Sequence, residues 1–195
     1  MSIGYSDRTR LLGSGLSAQV GSWLNRSLIK SIQAGTVAMT NAQTSNTATI
    51  TTVNTANTVL IYLGSNYNND ADADASRYDG YLQLTNATTI TGTRVTANAT
   101  LTIAFMVLEF WPGIIKSNQL GTINTGAATS NTETITAVRV AKTVVFYLGA
   151  ITNEVLGYGS RNTGTMVLTN ATTVTFTRGN ASDQLIGSYQ VIEFF

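Results

Sequence analysis

Along this chain, apolar residues recur with the two-residue period of strands. Thr173-Val174-Thr175-Phe176-Thr177 alternates polar and apolar, the pattern of a strand with one face buried. Val59-Leu60-Ile61-Tyr62-Leu63 and Val144-Val145-Phe146-Tyr147-Leu148 are short unbroken apolar runs, each ending at a glycine. Their β-branched and aromatic content predicts strands covered on both faces, at the centre of their sheets. Asn, Thr and Gly fill the stretches between, as turns require. Residues 1–28 break the pattern: Leu16, Val20, Leu24 and Leu28 recur every four residues with Trp23 beside them. That spacing predicts a short amphipathic helix, with Ser14 or Ser17 as its cap. So short a helix is marginal alone and needs a surface, either its own sandwich or a neighbouring subunit on which it docks as an arm.

The strand pattern occurs twice. Ile29-Lys30-Ser31-Ile32-Gln33-Ala34-Gly35-Thr36-Val37 returns as Ile115-Lys116-Ser117-Asn118-Gln119-Leu120-Gly121-Thr122-Ile123. Thr44-Ser45-Asn46-Thr47, Tyr62-Leu63-Gly64 and Leu84-Thr85-Asn86-Ala87-Thr88-Thr89 return in the same order from Thr129, Tyr147 and Leu168, and both copies close on Glu-Phe, at Glu109 and Glu193. The offset between copies drifts only from 86 (Ile29 to Ile115) to 84 (Glu109 to Glu193). The single proline, Pro112, stands with Gly113 between them, a pair that interrupts strand pairing and marks a junction. The expected fold is therefore all-β: two tandem antiparallel β-sandwich modules related by internal duplication, residues 29–111 and 112–195, preceded by an N-terminal arm over 1–28.

The copies differ in one instructive place. Behind Ile103, Phe105 and Val107, the last strand of the first copy carries a second apolar face, Ala104, Met106 and Leu108, where the second copy has Ser188, Gln190 and Ile192. A strand apolar on both faces needs cover on both. Ala104, Met106 and Leu108, with Leu16, Val20, Trp23, Leu24 and Leu28 of the arm, are thus the candidate partner contacts, the cover being the second module or another subunit.

Composition narrows the function classes. Charged residues make up 11% of 195 and the net charge is +1, so no long-range field draws the chain to nucleic acid. There is no Cys to form disulfides, and no His to serve as general base or metal ligand. No apolar run is long enough to span a bilayer, and residues 1–10 lack the apolar centre of a signal peptide, so a soluble, cytoplasmically synthesised protein without membrane contact is expected. Asp70, Asp72 and Asp74 open like a calcium loop, but Ala75 and Tyr81 stand where its Gly and bidentate Glu belong, which favours a solvated loop. Tyr67, Tyr78 and Tyr81 around those carboxylates could hold a host glycan; the plainer alternative is that the tyrosines finish the core. Glu109, Glu193, Arg94 and Arg178 occur once per copy, as structural pairs or strand-end partners would. No phosphate loop, nucleophile elbow or metal spacing occurs, so neither catalysis nor a cofactor is expected.

The phrase from Ile29 to Thr36, with Tyr62-Leu63-Gly64 and Leu84-Thr85-Asn86-Ala87-Thr88, resembles small β-rich structural proteins of tailed bacteriophages. The resemblance covers both copies but not residues 1–28. The usual form has Arg where Ala34 and Leu120 stand here. It implies a place in a virion among capsid or tail subunits, as a homo-oligomer, and carries over no functional residues. A capsid decoration (cement) protein is the leading expectation, followed by a tail or baseplate accessory protein, then a receptor-binding module.

Overall fold

A computed structural model describes residues 27–68, 79–97, 99–153, 163–181 and 183–195. Among the described residues the chain is all-β. Its strands are β1 (Ile29–Met39), β2 (Ser45–Thr49), β3 (Thr58–Asn68), β4 (Tyr81–Asn86), β5 (Thr89–Thr93), β6 (Thr100–Phe110), β7 (Ile115–Asn124), β8 (Ser130–Thr134), β9 (Thr143–Thr152), β10 (Gly164–Asn170), β11 (Thr173–Arg178) and β12 (Leu185–Phe194). All the pairings are antiparallel. They form a sheet β1-β6-β3, a sheet β10-β11-β8, and a six-stranded sheet β2-β5-β4-β9-β12-β7 whose middle link, β4 to β9, is the single pair Tyr81 and Gly149. No helix among the described residues is long and apolar enough to cross a membrane. Of the expected helix, only Leu28 falls within the described residues, where it is exposed.

Two cores follow from the alternation in the sequence. Leu101, Ile103, Phe105 and Val107 of β6 point inward with Val37 and Met39 of β1, against Leu82, Leu84 and Ile90 of β4 and β5. Ile123, Tyr189 and Val191 meet Val174 and Phe176 in the same way in the second half. The repeated phrases have physical roles that recur bond for bond. The Gln33 side chain donates to the Thr51 carbonyl (3.0 Å) and accepts from the Thr51 N–H (2.7 Å), standing in for a strand partner. Gln119 does the same at Thr136 (3.0 and 2.7 Å). Asn86 accepts from the Thr88 N–H and hydroxyl at the β4–β5 turn, as Asn170 does from Thr172, which is the reason for the Asn-Ala-Thr phrase.

One expectation needs correction. β3 and β9 are not central strands. β6 and β12 hold the middle positions; β3 is an edge, and β9 is paired along its length only with β12. β9 looks central in sequence because its outer face, at Phe146 and Leu148, is covered by the first half of the chain; of β3, only Val59 and Ile61 meet the second half, and Leu63 stays exposed.

Candidate interaction face

An edge strand presents unpaired N–H and C=O groups, and these must be satisfied if the edge is buried. The edge of β3 is buried against the outer face of β12, where amide side chains do the pairing. Gln190 Oε1 accepts from the Leu60 N–H (2.8 Å), and its Nε2 donates to the Thr58 carbonyl (2.8 Å) and to Asn118 Oδ1 (2.9 Å). Asn118 Nδ2 donates to the carbonyls of Thr55 (2.7 Å) and Thr58 (2.9 Å). Ser188 Oγ donates to the Leu82 carbonyl of β4 (3.1 Å). Gln190 and Ser188, polar in sequence, are accordingly fully buried.

Beside them β9 bulges. The register with β12 slips between Gly187 and Tyr189, leaving Leu148 and Gly149 opposite Ser188. Leu148 is driven out of its own half into the core of the first, where it is 0% exposed. Gly149, at φ 96°, lies directly on the backbone of Gly80 and Tyr81. Val59, Ile115 and Ile192 close the junction, with Leu108, Phe110 and Phe194 packed around them.

The outer face of β1, β6 and β3 in the first half occupies the aligned positions, and it is apolar and largely uncovered. Asn118 aligns with Ile32, Ser188 with Ala104, Gln190 with Met106, and Leu148 with Leu63. Ile32 is 59% and Leu63 53% exposed, while Ala104 and Met106 are half-buried. β3 bulges at Leu63 as β9 does at Leu148, and Gly64 takes the same positive φ (115°) as Gly149, with open space around it. Of the three partner contacts predicted on β6, Leu108 is taken up in the junction, so the second half supplies part of the cover, and Ala104 and Met106 remain on the open face. Leu16, Val20, Trp23 and Leu24 lie outside the described residues.

The glycan candidates do not gather within what is described. The half-buried Tyr67 packs against the first core, and Tyr81 lies at the β4–β9 link, paired with Gly149. Asp70, Asp72, Asp74 and Tyr78 are outside the described residues. No group of three or more acidic residues placed to hold a metal ion occurs among those described.

Nor do the repeated Glu and Arg pair with each other. Glu109 accepts from Lys30 Nζ (2.8 Å), Ser31 Oγ (3.1 Å) and the Asn54 N–H (3.0 Å). Burial pushes its carboxyl up, but the bonds from Lys30, Asn54 and Ser31 outweigh it and hold the pKa below the usual range. Glu193 takes Lys116 Nζ (2.8 Å) and the Arg139 N–H (3.1 Å); the Lys116 bond leads in holding its carboxyl low.

Asp79 behaves oppositely. Burial raises its pKa from 3.8 to about 7, and its buried Oδ2 has no hydrogen-bond partner. Burial, with Asp79 nearby, also raises the hydroxyl pKa of Tyr62 and Tyr147, whose rings meet edge-on at 6.4 Å. The folded chain therefore keeps the Asp79 proton while the unfolded chain has lost it. Its contribution is full below pH 3.8, is lost as pH rises towards about 7, and is flat above. The ceiling on that loss is about 4 kcal/mol, and partial hydration brings it to about 2. Asp79→Asn is thus expected to stabilise the protein by about 2 kcal/mol at pH 8 and by almost nothing at pH 4. Urea denaturation at the two pH values checks this; an equal effect at both would refute it.

No protein-family model matches the chain, and neither curated proteins nor solved structures include one similar to it.

Proposed function

We propose that this chain is a non-catalytic structural protein of a tailed-bacteriophage virion, and within it a capsid decoration (cement) protein. On this reading it consists of two tandem β-sandwich modules related by internal duplication, with residues 1–28 as an arm onto a neighbour. The observation that carries the reading is the open apolar face of the first half, with Ile32 and Leu63 exposed beside Met106. Contiguous exposed apolar surface marks protein–protein contact. The bond-for-bond recurrence at Gln33 and Gln119, and at Asn86 and Asn170, supports the duplication. The resemblance of the Ile29–Thr36 phrase to phage structural proteins supports the virion. A low-charge chain free of Cys and His suits a particle that must persist outside cells.

Quantitative mass spectrometry of purified virions tests this. A ratio near one per capsid subunit, or a simple fraction of it, is the expected result. A few to tens of copies per particle would move the chain to the tail or baseplate, and absence from virions would end the reading.

A further inference from the structure

We propose that the protein assembles head to tail with further copies of itself. The outer face of one copy's first half receives the open edge of another copy's second half, in the arrangement that already joins the two halves within one chain. The contact is a property of the chain alone, so its failure and the failure of the virion reading are separate results.

Burial is unequal at aligned positions. Within a chain, the contact has two sides: the outer face of the second half, and the β3–β4 edge of the first. Each side has an aligned twin elsewhere in the same chain, and both twins are open. On the face, the Leu at the bulge is fully buried in the second half, as Leu148, and 53% exposed in the first, as Leu63. Gly149 rests on Gly80 and Tyr81, whereas Gly64 has nothing near it. On the edge, Val59 is 1% exposed in the junction, and its twin Val144 is 45% exposed. The twins of Gly80 and Tyr81 are Gly164 and Thr165, and these line an open surface hollow of about 430 Å³. A bulge without a seat and a seat without a bulge are therefore present in every copy. Joining them between copies repeats a packing the chain already makes.

The chemistry of the two contacts differs. The internal one is held by Gln190, Asn118 and Ser188; the external one has Met106, Ile32 and Ala104 there, facing an edge that carries Val140 and Val144. It is apolar on both sides and lacks the amide bonds to the edge backbone. It is consequently weaker than the internal contact and reversible. A contact between unlike surfaces of identical copies propagates, closing into a ring if the rotation allows and otherwise extending as a filament.

Analytical ultracentrifugation of the full-length chain over a rising concentration series tests it. The wild-type chain is expected to sediment faster as concentration increases. Leu63→Asp blocks the face and Val144→Asp blocks the edge; both positions are exposed, so each variant should keep the wild-type circular dichroism spectrum and stay monomeric. Ile32→Asp and Val140→Asp serve in their place should either fail to fold. An equimolar mixture of the face and edge variants is the decisive sample. Each then offers the surface the other lacks, and one-to-one dimers form with nothing larger. A wild-type chain that stays monomeric at every concentration overturns the proposal. Association untouched by both edge variants, Val144→Asp and Val140→Asp, overturns it as well, because it shows two faces meeting each other.

Discussion

Replacing Arg94 with methionine is expected to cost about 4 kcal/mol of folding free energy, a large share of the stability of a typical domain. Its guanidinium is almost wholly buried and is bonded to backbone: Nε donates to the Gln43 carbonyl (2.8 Å), Nη1 to the Ala99 carbonyl (2.6 Å), and Nη2 to the Thr40 carbonyl. Those carbonyls lie in the β1–β2 and β5–β6 connections, so one side chain ties two loops to the end of β5. Methionine fills much of the space but leaves the Gln43 and Ala99 carbonyls without this donor, at about 1–3 kcal/mol each before relaxation, while the Thr40 carbonyl keeps the Gln43 N–H (3.1 Å). Lysine should recover less than half, because a single ammonium cannot reproduce the planar fork that reaches three acceptors. Arg178 makes the same set, to Ala128 (3.0 Å), Asp183 (2.6 Å) and Gly126 (2.8 Å), so Arg178→Met should cost a similar amount. Urea denaturation of the four proteins is the measurement; a loss under about 1 kcal/mol for Arg94→Met would show that water takes over the carbonyls.

The second large effect separates two glycines that look alike in sequence. Gly149→Ala is expected to cost about 4 kcal/mol, and Gly64→Ala about 1–2. Both stand at positive φ, 96° and 115°, where any Cβ is strained. Only at Gly149 would that Cβ also collide with the Gly80 carbonyl oxygen and come within 3.0 Å of the Tyr81 Cα. Backbone cannot swing aside as a flexible side chain does, so the β4–β9 link must open and Leu148 must leave its seat. Around Gly64 there is nothing to meet within 4 Å. The comparison is made by denaturant unfolding at low protein concentration, where copies stay apart. Equal losses at the two positions would show that backbone strain alone, and not the junction, governs Gly149.

The candidate face was half legible in the chain. Ala104, Met106 and Leu108 were conspicuous because β6 is apolar on both sides. The residues aligned with Ala104 and Met106, Ser188 and Gln190, carry no such mark, for a physical reason. A polar residue on an outer face reads as solvated, yet a Gln side chain is a peptide-like amide and can pair with a strand edge as another strand does. Burial with two or three bonds made is then its stable state. A signal was available in the alignment of the repeated phrases: Ala104 against Ser188 and Met106 against Gln190 switch between apolar and polar where the two halves of the chain face different surroundings. Asp79 carried no such signal, since its carboxylate became notable only where folding placed it beside Tyr62 and Tyr147.

The features legible in the chain alone are local and repeated. The two-residue period set which elements are strands, Asn-Ala-Thr set the β4–β5 and β10–β11 turns, and the recurrence of Gln33, Arg94 and Glu109 as Gln119, Arg178 and Glu193 set one frame at two places. These are legible because each depends on neighbours along the chain or on a pattern that must recur wherever the same contacts are made. Which of the aligned surfaces is covered is set by packing between the halves. Leu63 and Leu148 stand in the same phrase, Tyr-Leu-Gly, and one lies in solvent while the other fills a core. No property of the phrase distinguishes them. The difference arises because the two halves of one chain bury only one such face and one such edge against each other, leaving the aligned face and the aligned edge open.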